Sequence, residues 1–316
     1  MLEKIIYIGL FLLPGILFSA APGGYAGSFL EIPPMSSSAA FGNACITYDP
    51  EPAALFANPA NLDGLYRHSA QFSIERLPMS DFRYGAAGTF RWRQFQFALG
   101  AVQHCAGNIQ GRDEVGNPTK MLDYSNTVVG GGASFGMEGK GKIKRCGTAL
   151  WKISFGMSGY FVAQGENFSD DGSGYTTNIG ISARYGYFRG GVLLRNLYGR
   201  MKWNDGSTSE FQRAIAAGIG LEFCESHWIE ASAEAKVIGR VRWRIGGQFL
   251  AAPWAAFRAG IDFSTGTPSA IDETRIAGGG AFYIKYAIPI EISYSAQYIY
   301  AIRGFGISSS ISLNTF

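Results

Sequence analysis

The sequence predicts an all-β fold: a transmembrane antiparallel β-barrel of about 14 strands behind a short helical N-terminal hatch. Three observations predict it. The chain is 47% hydrophobic and 14% aromatic, with 43 glycines, yet only 16% charged, against roughly 25% charged in soluble domains. Mean hydropathy is nevertheless only +0.04, which suits a sheet with one apolar and one polar face better than a bundle of apolar helices. An apolar leader opens the chain, and segments of about ten residues alternating apolar and polar fill the rest.

The leader comes first. Lys4 supplies a basic start, and Ile5 to Phe18 is apolar apart from Gly9, Pro14 and Gly15. Small residues follow, and Gly24 with Ala26 sets a cleavage site before Gly27, giving a signal peptide over 1–26. Ser19 and Ala21 form a competing site, disfavoured by Pro22 just after the cut. The apolar run is short of the ~20 residues a spanning helix requires, and no later run is long enough. Membrane insertion is therefore expected from strands.

Period-two alternation supplies those strands. Phe82, Tyr84, Ala86, Phe90 and Trp92 share one parity against Asp81, Arg83, Thr89, Arg91 and Arg93. Ile153, Phe155, Met157 and Phe161 oppose Lys152, Ser154, Gly156, Ser158 and Tyr160, and Ile229, Ala231, Ala233 and Ala235 oppose Glu230, Ser232, Glu234 and Lys236. Such segments place strands at 68–76, 81–92, 94–105, 124–137, 148–163, 175–187, 189–198, 211–223, 228–237, 240–250, 254–264, 276–286, 288–299 and 304–316. An even number is what a closed single-chain barrel needs. The long polar stretches 106–123, 164–174, 199–210 and 265–275 all follow odd-numbered strands, so with periplasmic termini they face outward; 138–147 is an exception, a longer periplasmic turn. Phe316 ends the barrel domain (67–316) as an expected assembly signal, although Phe305, Ile307, Ile311 and Leu313 lie on the opposite parity. Either a bulge shifts the register or Phe316 turns inward.

Residues 27–66 precede the first strand and read as a hatch or plug. Asp49 and Pro50 suit a turn, Pro52 a first helical turn, Ala53 to Ala57 a short helix, and Asn58-Pro59-Ala60 its end. The opening Phe29-Leu30-Glu31-Ile32-Pro33, the small-residue run Ser36 to Ala44, Asp49-Pro50-Glu51-Pro52-Ala53 and Asn58-Pro59-Ala60 resemble the PorV/PorQ family, within the wider FadL-like group of outer-membrane barrels. Leu193-Leu194-Arg195-Asn196-Leu197, Trp243 to Gln248 and Phe257 to Ile261 are similar to later strands of that family. Met35-Ser36-Ser37, Asn43 and Gln248 depart from its pattern. The resemblance implies a cell outer-membrane protein acting as a partner or cargo-handling component in protein export of the type IX kind. The FadL-like likeness implies instead passive transport of hydrophobic compounds through a plugged barrel with a lateral opening.

Chemistry is sparse. The histidines are His68, His104 and His227. His104 beside Cys105 would point to opposite faces of a strand, so no catalytic, cofactor or metal site is expected. Gly130-Gly131-Gly132 lacks the Lys-Ser/Thr of a phosphate loop and lies in a strand. The net charge of +3 gives no reason to expect a nucleic-acid partner, and the densest basic patch, Lys140, Lys142, Lys144 and Arg145, reads as a solvated turn. Cys45, Cys105, Cys146 and Cys224 show no metal spacing; a disulfide from Cys45 to Cys146 or Cys224 is open on sequence alone.

The inward parity carries both charge signs: Glu230, Glu234 and Lys236, then Arg242 and Arg244, then Arg258 and Asp262. Hairpin pairing brings Glu234 near Arg242 and Arg242 near Asp262, which suggests a cross-linked, filled lumen rather than an open pore. The expected partners are outer-membrane lipid and the barrel assembly machinery, with secretion-complex subunits or cargo on one reading and a hydrophobic ligand on the other. A transporter predicts apolar interior surface beside the hatch; an export partner predicts apolar outer loops.

Overall fold

The computed structural model describes residues 35–48, 51–65, 68–77, 81–113, 115–143, 147–166, 171–223, 227–236, 241–265, 274–284, 288–300 and 303–315. The leader with its cleavage sites, the Phe29–Pro33 opening, Asp49, Pro50, Cys146, Cys224 and Phe316 lie outside them.

The strands are β1 (His68–Arg76), β2 (Phe82–Trp92), β3 (Phe95–Arg112), β4 (Pro118–Ile143) and β5 (Gly147–Glu166). They continue with β6 (Gly172–Tyr185), β7 (Phe188–Trp203), β8 (Thr208–Glu210), β9 (Ala214–Phe223) and β10 (His227–Lys236). The last are β11 (Val241–Ala252), β12 (Ala255–Thr265), β13 (Arg275–Ile284), β14 (Ile290–Ile299) and β15 (Gly304–Thr315). Neighbours pair antiparallel, and β1 pairs with β15 from His68↔Thr315 to Arg76↔Ile307, closing the sheet. Fourteen strands make the barrel; β8 is a short flap on β7. Closure pairs the first and last strands, so neither is left as an open edge.

The barrel is the reverse of a soluble core. In β1, Ser69, Gln71, Ser73 and Glu75 are buried while Phe72 is 59% exposed. The period of two puts alternate side chains on opposite faces, and here the polar set turns inward and the apolar set forms the outer band. Trp92, Phe188 and Trp254 stand outward near the end with the short turns, and Tyr84, Tyr198 and Phe305 near the other, forming aromatic girdles. No helix among the described residues is long and apolar enough to cross a membrane; the chain crosses with strands.

Several boundaries differ from the sequence expectation. The stretch 106–123 is mainly hairpin: β3 runs to Arg112 and β4 starts at Pro118, through register shifts near Ala106 and Gln110 that let polar residues continue the ladder. The stretches 164–174 and 199–210 likewise shrink as β5, β6 and β7 extend and β8 forms. The expected longer turn at 138–147 is corrected too: Glu138 to Ile143 pairs regularly with Gly147 to Lys152, leaving 144–146 between strands. The expected strand at 211–223 begins only at Ala214, because Phe211 leaves the wall and is buried inside. The β14–β15 ladder is unshifted through Leu313 and the β1–β15 ladder through Thr315, so no bulge shifts the register among the described residues of β15.

Residues 35–65 hold the helical elements: α1 (Ser36–Ala40), α2 (Ala54–Ala57) and a 3-10 helix (Pro59–Gly64). Their described residues are almost all buried, within the lumen. Expressed protein is expected to migrate differently on gels before and after heating, and to fractionate with the outer membrane. Leu99, 67% exposed on the outer face of β3, is expected to cost about 2–4 kcal/mol as Leu99→Arg, because a charge there meets hydrocarbon. Unfolding in lipid vesicles measures this; an unchanged midpoint would contradict the lipid-facing assignment.

Candidate functional site

The hatch is seated where the wall lacks side chains. Gly156 of β5 and Gly180 of β6 are cross-strand partners, and together they face Asn58-Pro59-Ala60. A Cβ at Gly156 would lie 2.3 Å from the Pro59 carbonyl carbon and from the Ala60 nitrogen; one at Gly180 would lie 1.9 Å from Asn58 Oδ1. Gly246 and Gly260, partners on β11 and β12, do the same for the Phe41 carbonyl, 2.0 and 2.1 Å from their notional Cβ atoms. Leu55 packs over Gly132 and Phe56 over Gly100. The run Gly130 to Gly132 thus lies in β4, with Gly132 under the hatch.

Side chains then tie hatch to wall. Asn58 donates its amide to the Ile46 carbonyl (2.7 Å), and its Oδ1 accepts the Ala60 N–H (3.1 Å), capping the 3-10 helix that Pro59 begins. Asn61 donates to the Cys45 and Ile46 carbonyls. Asp63 receives Lys152 (2.7 Å), Arg91 (3.4 Å) and the Ser154 hydroxyl (2.9 Å). These residues lie near the short-turn end, where a cavity of about 820 Å³ has a mixed lining that includes Tyr48, Asn61, Lys152 and Glu222 as well as Leu65 and Ile290.

The inward charges divide into two sets. Glu230 serves the hatch: its carboxylate accepts the Ile46 N–H (2.7 Å), the Thr47 N–H (3.1 Å) and the Thr47 hydroxyl (2.6 Å). Arg258 joins hatch to wall, meeting Glu291 (2.5 Å), Gln248 (3.0 Å) and hatch Glu51 (3.6 Å), with its guanidinium 4.9 Å from the Phe41 ring. The second set lies toward the long-loop end. Arg242 meets Asp262 at 2.6 Å, while Glu234 takes Arg244 (2.9 Å) and Arg195 (3.5 Å), although Glu234 and Arg242 are register partners. Asp262 is also reached by Arg244 (3.8 Å) and Asn43 (3.4 Å). Lys236 is buried beside them. Removing one member of so buried a set leaves its partner's charge uncompensated, commonly a loss of roughly 3–5 kcal/mol.

Two features were not read from the sequence. One is an apolar column inside the lumen: hatch Leu55 and Phe56 continue into Val102, Val128 and Val162 of β3–β5 and on to Met201 and Phe211. The other is a break in the wall at Asn196. Thr177 and Ile179 of β6 oppose Tyr198 and Leu194 of β7, a two-residue bulge. Asn196 sits there at φ 54°, a left-handed conformation that Asn tolerates. Its N–H is held by Asn178 (2.9 Å), its Oδ1 accepts from Thr176 (2.9 Å) and its amide donates to the Gln212 carbonyl (2.8 Å). The β7–β9 ladder stops at Arg195↔Ala214, so 196–199 and 211–213 run side by side without strand pairing. The Arg195-Asn196-Leu197 run lies on this bulge. Its signal in the sequence is Asn between two strand-forming stretches; that of the hatch seat is glycine recurring on the inward parity.

No family model matches the chain, and no curated protein matches it. Solved structures do. The Pseudomonas putida toluene transporter TodX matches with a TM-score of 0.55 at 11% identity, covering 89% of this chain and 98% of that one. A Pseudomonas aeruginosa FadL homologue matches with a TM-score of 0.53 at 12% identity, over 88% and 97%. The Ralstonia pickettii toluene transporter TbuX covers 88% of this chain and 97% of its own at 13% identity, with a TM-score of 0.49. At such identities the likeness is one of fold: the chain has the FadL-like outer-membrane barrel fold.

Gly156→Val is expected to leave the barrel assembled, because valine favours strands, but to push Pro59 and Ala60 off the wall. Limited proteolysis read by mass spectrometry should then cut within 51–65 in the variant and spare wild type. Equal resistance would contradict the seating described.

Proposed function

We propose that this barrel is a passive outer-membrane transporter of hydrophobic compounds, with residues 35–65 as the hatch that its cargo must displace. One observation carries the reading: the apolar column beside the hatch, running from Leu55 and Phe56 to Met201 and Phe211. A lumen that served only to be filled by paired charges has no need of a continuous apolar side. The side chains of the column are packed together rather than set around an open cavity, so an apolar guest enters by replacing Leu55 and Phe56 against the wall, at little cost in hydrophobic contact. The interrupted pairing at Asn196, next to buried Phe211, is where such a guest leaves sideways into the bilayer. TodX and TbuX are named as toluene transporters, and the fold shared with TodX agrees with this choice.

The export-partner reading, with type IX secretion subunits or cargo as ligands, calls for apolar loops that grip another protein. The described loop tips are polar: Asp113, Gly116 and Asn117 surround one apolar side chain, Val115, and Asn204 to Ser207 carry none. Transport is therefore the reading adopted.

Entry of a fluorescent hydrophobic naphthylamine into cells tests it. Expression of the protein should accelerate dye entry, and Val162→Asp, which puts a carboxylate into the column, should abolish the acceleration while gel migration still reports a folded barrel. Equal entry with and without the protein would overturn the proposal.

A further inference from the structure

Arg275 opens β13 at the long-loop end, on the inward parity shared with Ala277 and Ala281, and is half-buried. Among the described residues its guanidinium makes no ion pair or hydrogen bond. The charged groups within its electrostatic reach are Arg242, Arg83, Asp262 and Glu75. Both carboxylates are engaged elsewhere. Asp262, the cross-strand partner of Arg275, gives one oxygen to Arg242 (2.6 Å) and the other to Arg244 (3.8 Å) and Asn43 (3.4 Å). Glu75 gives one oxygen to Arg83 (3.2 Å) and the other to Gln297 (2.5 Å). Arg83, Arg242 and Arg244 thus already occupy the two carboxylates within reach of Arg275, whose side chain stands on the inward parity.

We propose that Arg275, flanked by Arg83 and Arg242, forms a binding site for a small free oxyanion such as phosphate or sulfate at the long-loop end of the lumen. A guanidinium presents parallel N–H donors spaced for two oxygens of one anion, and in a partly desolvated site such charge-assisted bonds are strong. The walls around the site decide between a free anion and the head of an amphiphile. They are polar, with Glu75, Gln297, Asp262 and Ser264 buried on β1, β14 and β12, whereas the apolar column follows β3–β5 and β7. The site is therefore separate from the hydrophobic route, and its occupation does not depend on what that route carries.

Titration of the detergent-solubilised full-length protein with inorganic phosphate, at ionic strength held constant with chloride, tests the proposal through the thermal unfolding midpoint. Wild type should show a saturable rise. Arg275→Gln should need at least about tenfold more phosphate for the same rise, given the strength of charge-assisted bonds. Arg275→Lys, which keeps the charge and loses the fork, should fall between them and serves in place of the glutamine variant if that one fails to fold. A parallel arm uses octyl phosphate below its micelle concentration. A response to octyl phosphate without one to inorganic phosphate would overturn the free-anion assignment. So would no saturable response in wild type, or identical curves for wild type and the Arg275 variants.

Discussion

Close approach between the hatch backbone and a wall of bare glycine backbone is the constraint on which the rest of this structure depends. At Gly156 and Gly180, and again at Gly246 and Gly260, the separation leaves no room for a methyl group. Each pair is cross-strand, so two adjacent strands give way at the same height and a shallow seat forms. Glycine in a strand interior weakens the strand, and here the loss is offset by contact with a second layer of chain. The seat brings Ile46 and Thr47 to the Glu230 carboxylate and Glu51 to Arg258.

That arrangement makes the lumen two-sided. On β14, β15 and β1 the inner face is mainly serine, glutamine and glutamate, and β10–β12 add paired ions, with Ser36 of the hatch joined to Ser293 and Ser310. Around β3–β5 alanine, valine and Tyr160 lie under Leu55 and Phe56. The polar side fixes the hatch by directional bonds, which are expensive to leave unmade. On the apolar side Leu55 and Phe56 pack by contacts that another apolar molecule can replace, beside one hydrogen bond from the Tyr160 hydroxyl to the Leu55 carbonyl. A plug held firmly on one side and exchangeably on the other suits the transport proposal.

Much of the barrel was legible in the sequence because its physics is a period of two. Polar inward and apolar outward residues place nearly every strand within a few positions, and the inward set Glu230 to Asp262 falls out of the same parity. Three things were not legible. Polar hairpin extensions such as Ala106–Arg112 lack alternation and read as loop until their partners across the hairpin are known. Phe211 looks like a strand-opening aromatic, and only the bulge at Asn196, which ends the β7–β9 ladder, explains why it turns inside. Gly156 falls on the inward parity of its strand, yet nothing local in the chain says that Pro59 and Ala60 will lie upon it, or that Asn58 will lie upon Gly180 and Phe41 upon Gly260. Asn58-Pro59-Ala60 stood out as a turn motif, while its destination is a long-range contact.

The central claim is that residues 35–65 close the lumen. Single-channel recording in planar bilayers tests it most directly, comparing wild type with a chain lacking residues 36–57, both confirmed as assembled by heat-modifiable migration. The account predicts near-zero ion conductance for wild type and a much larger conductance for the deletion. Equal, near-zero conductance from both would contradict it.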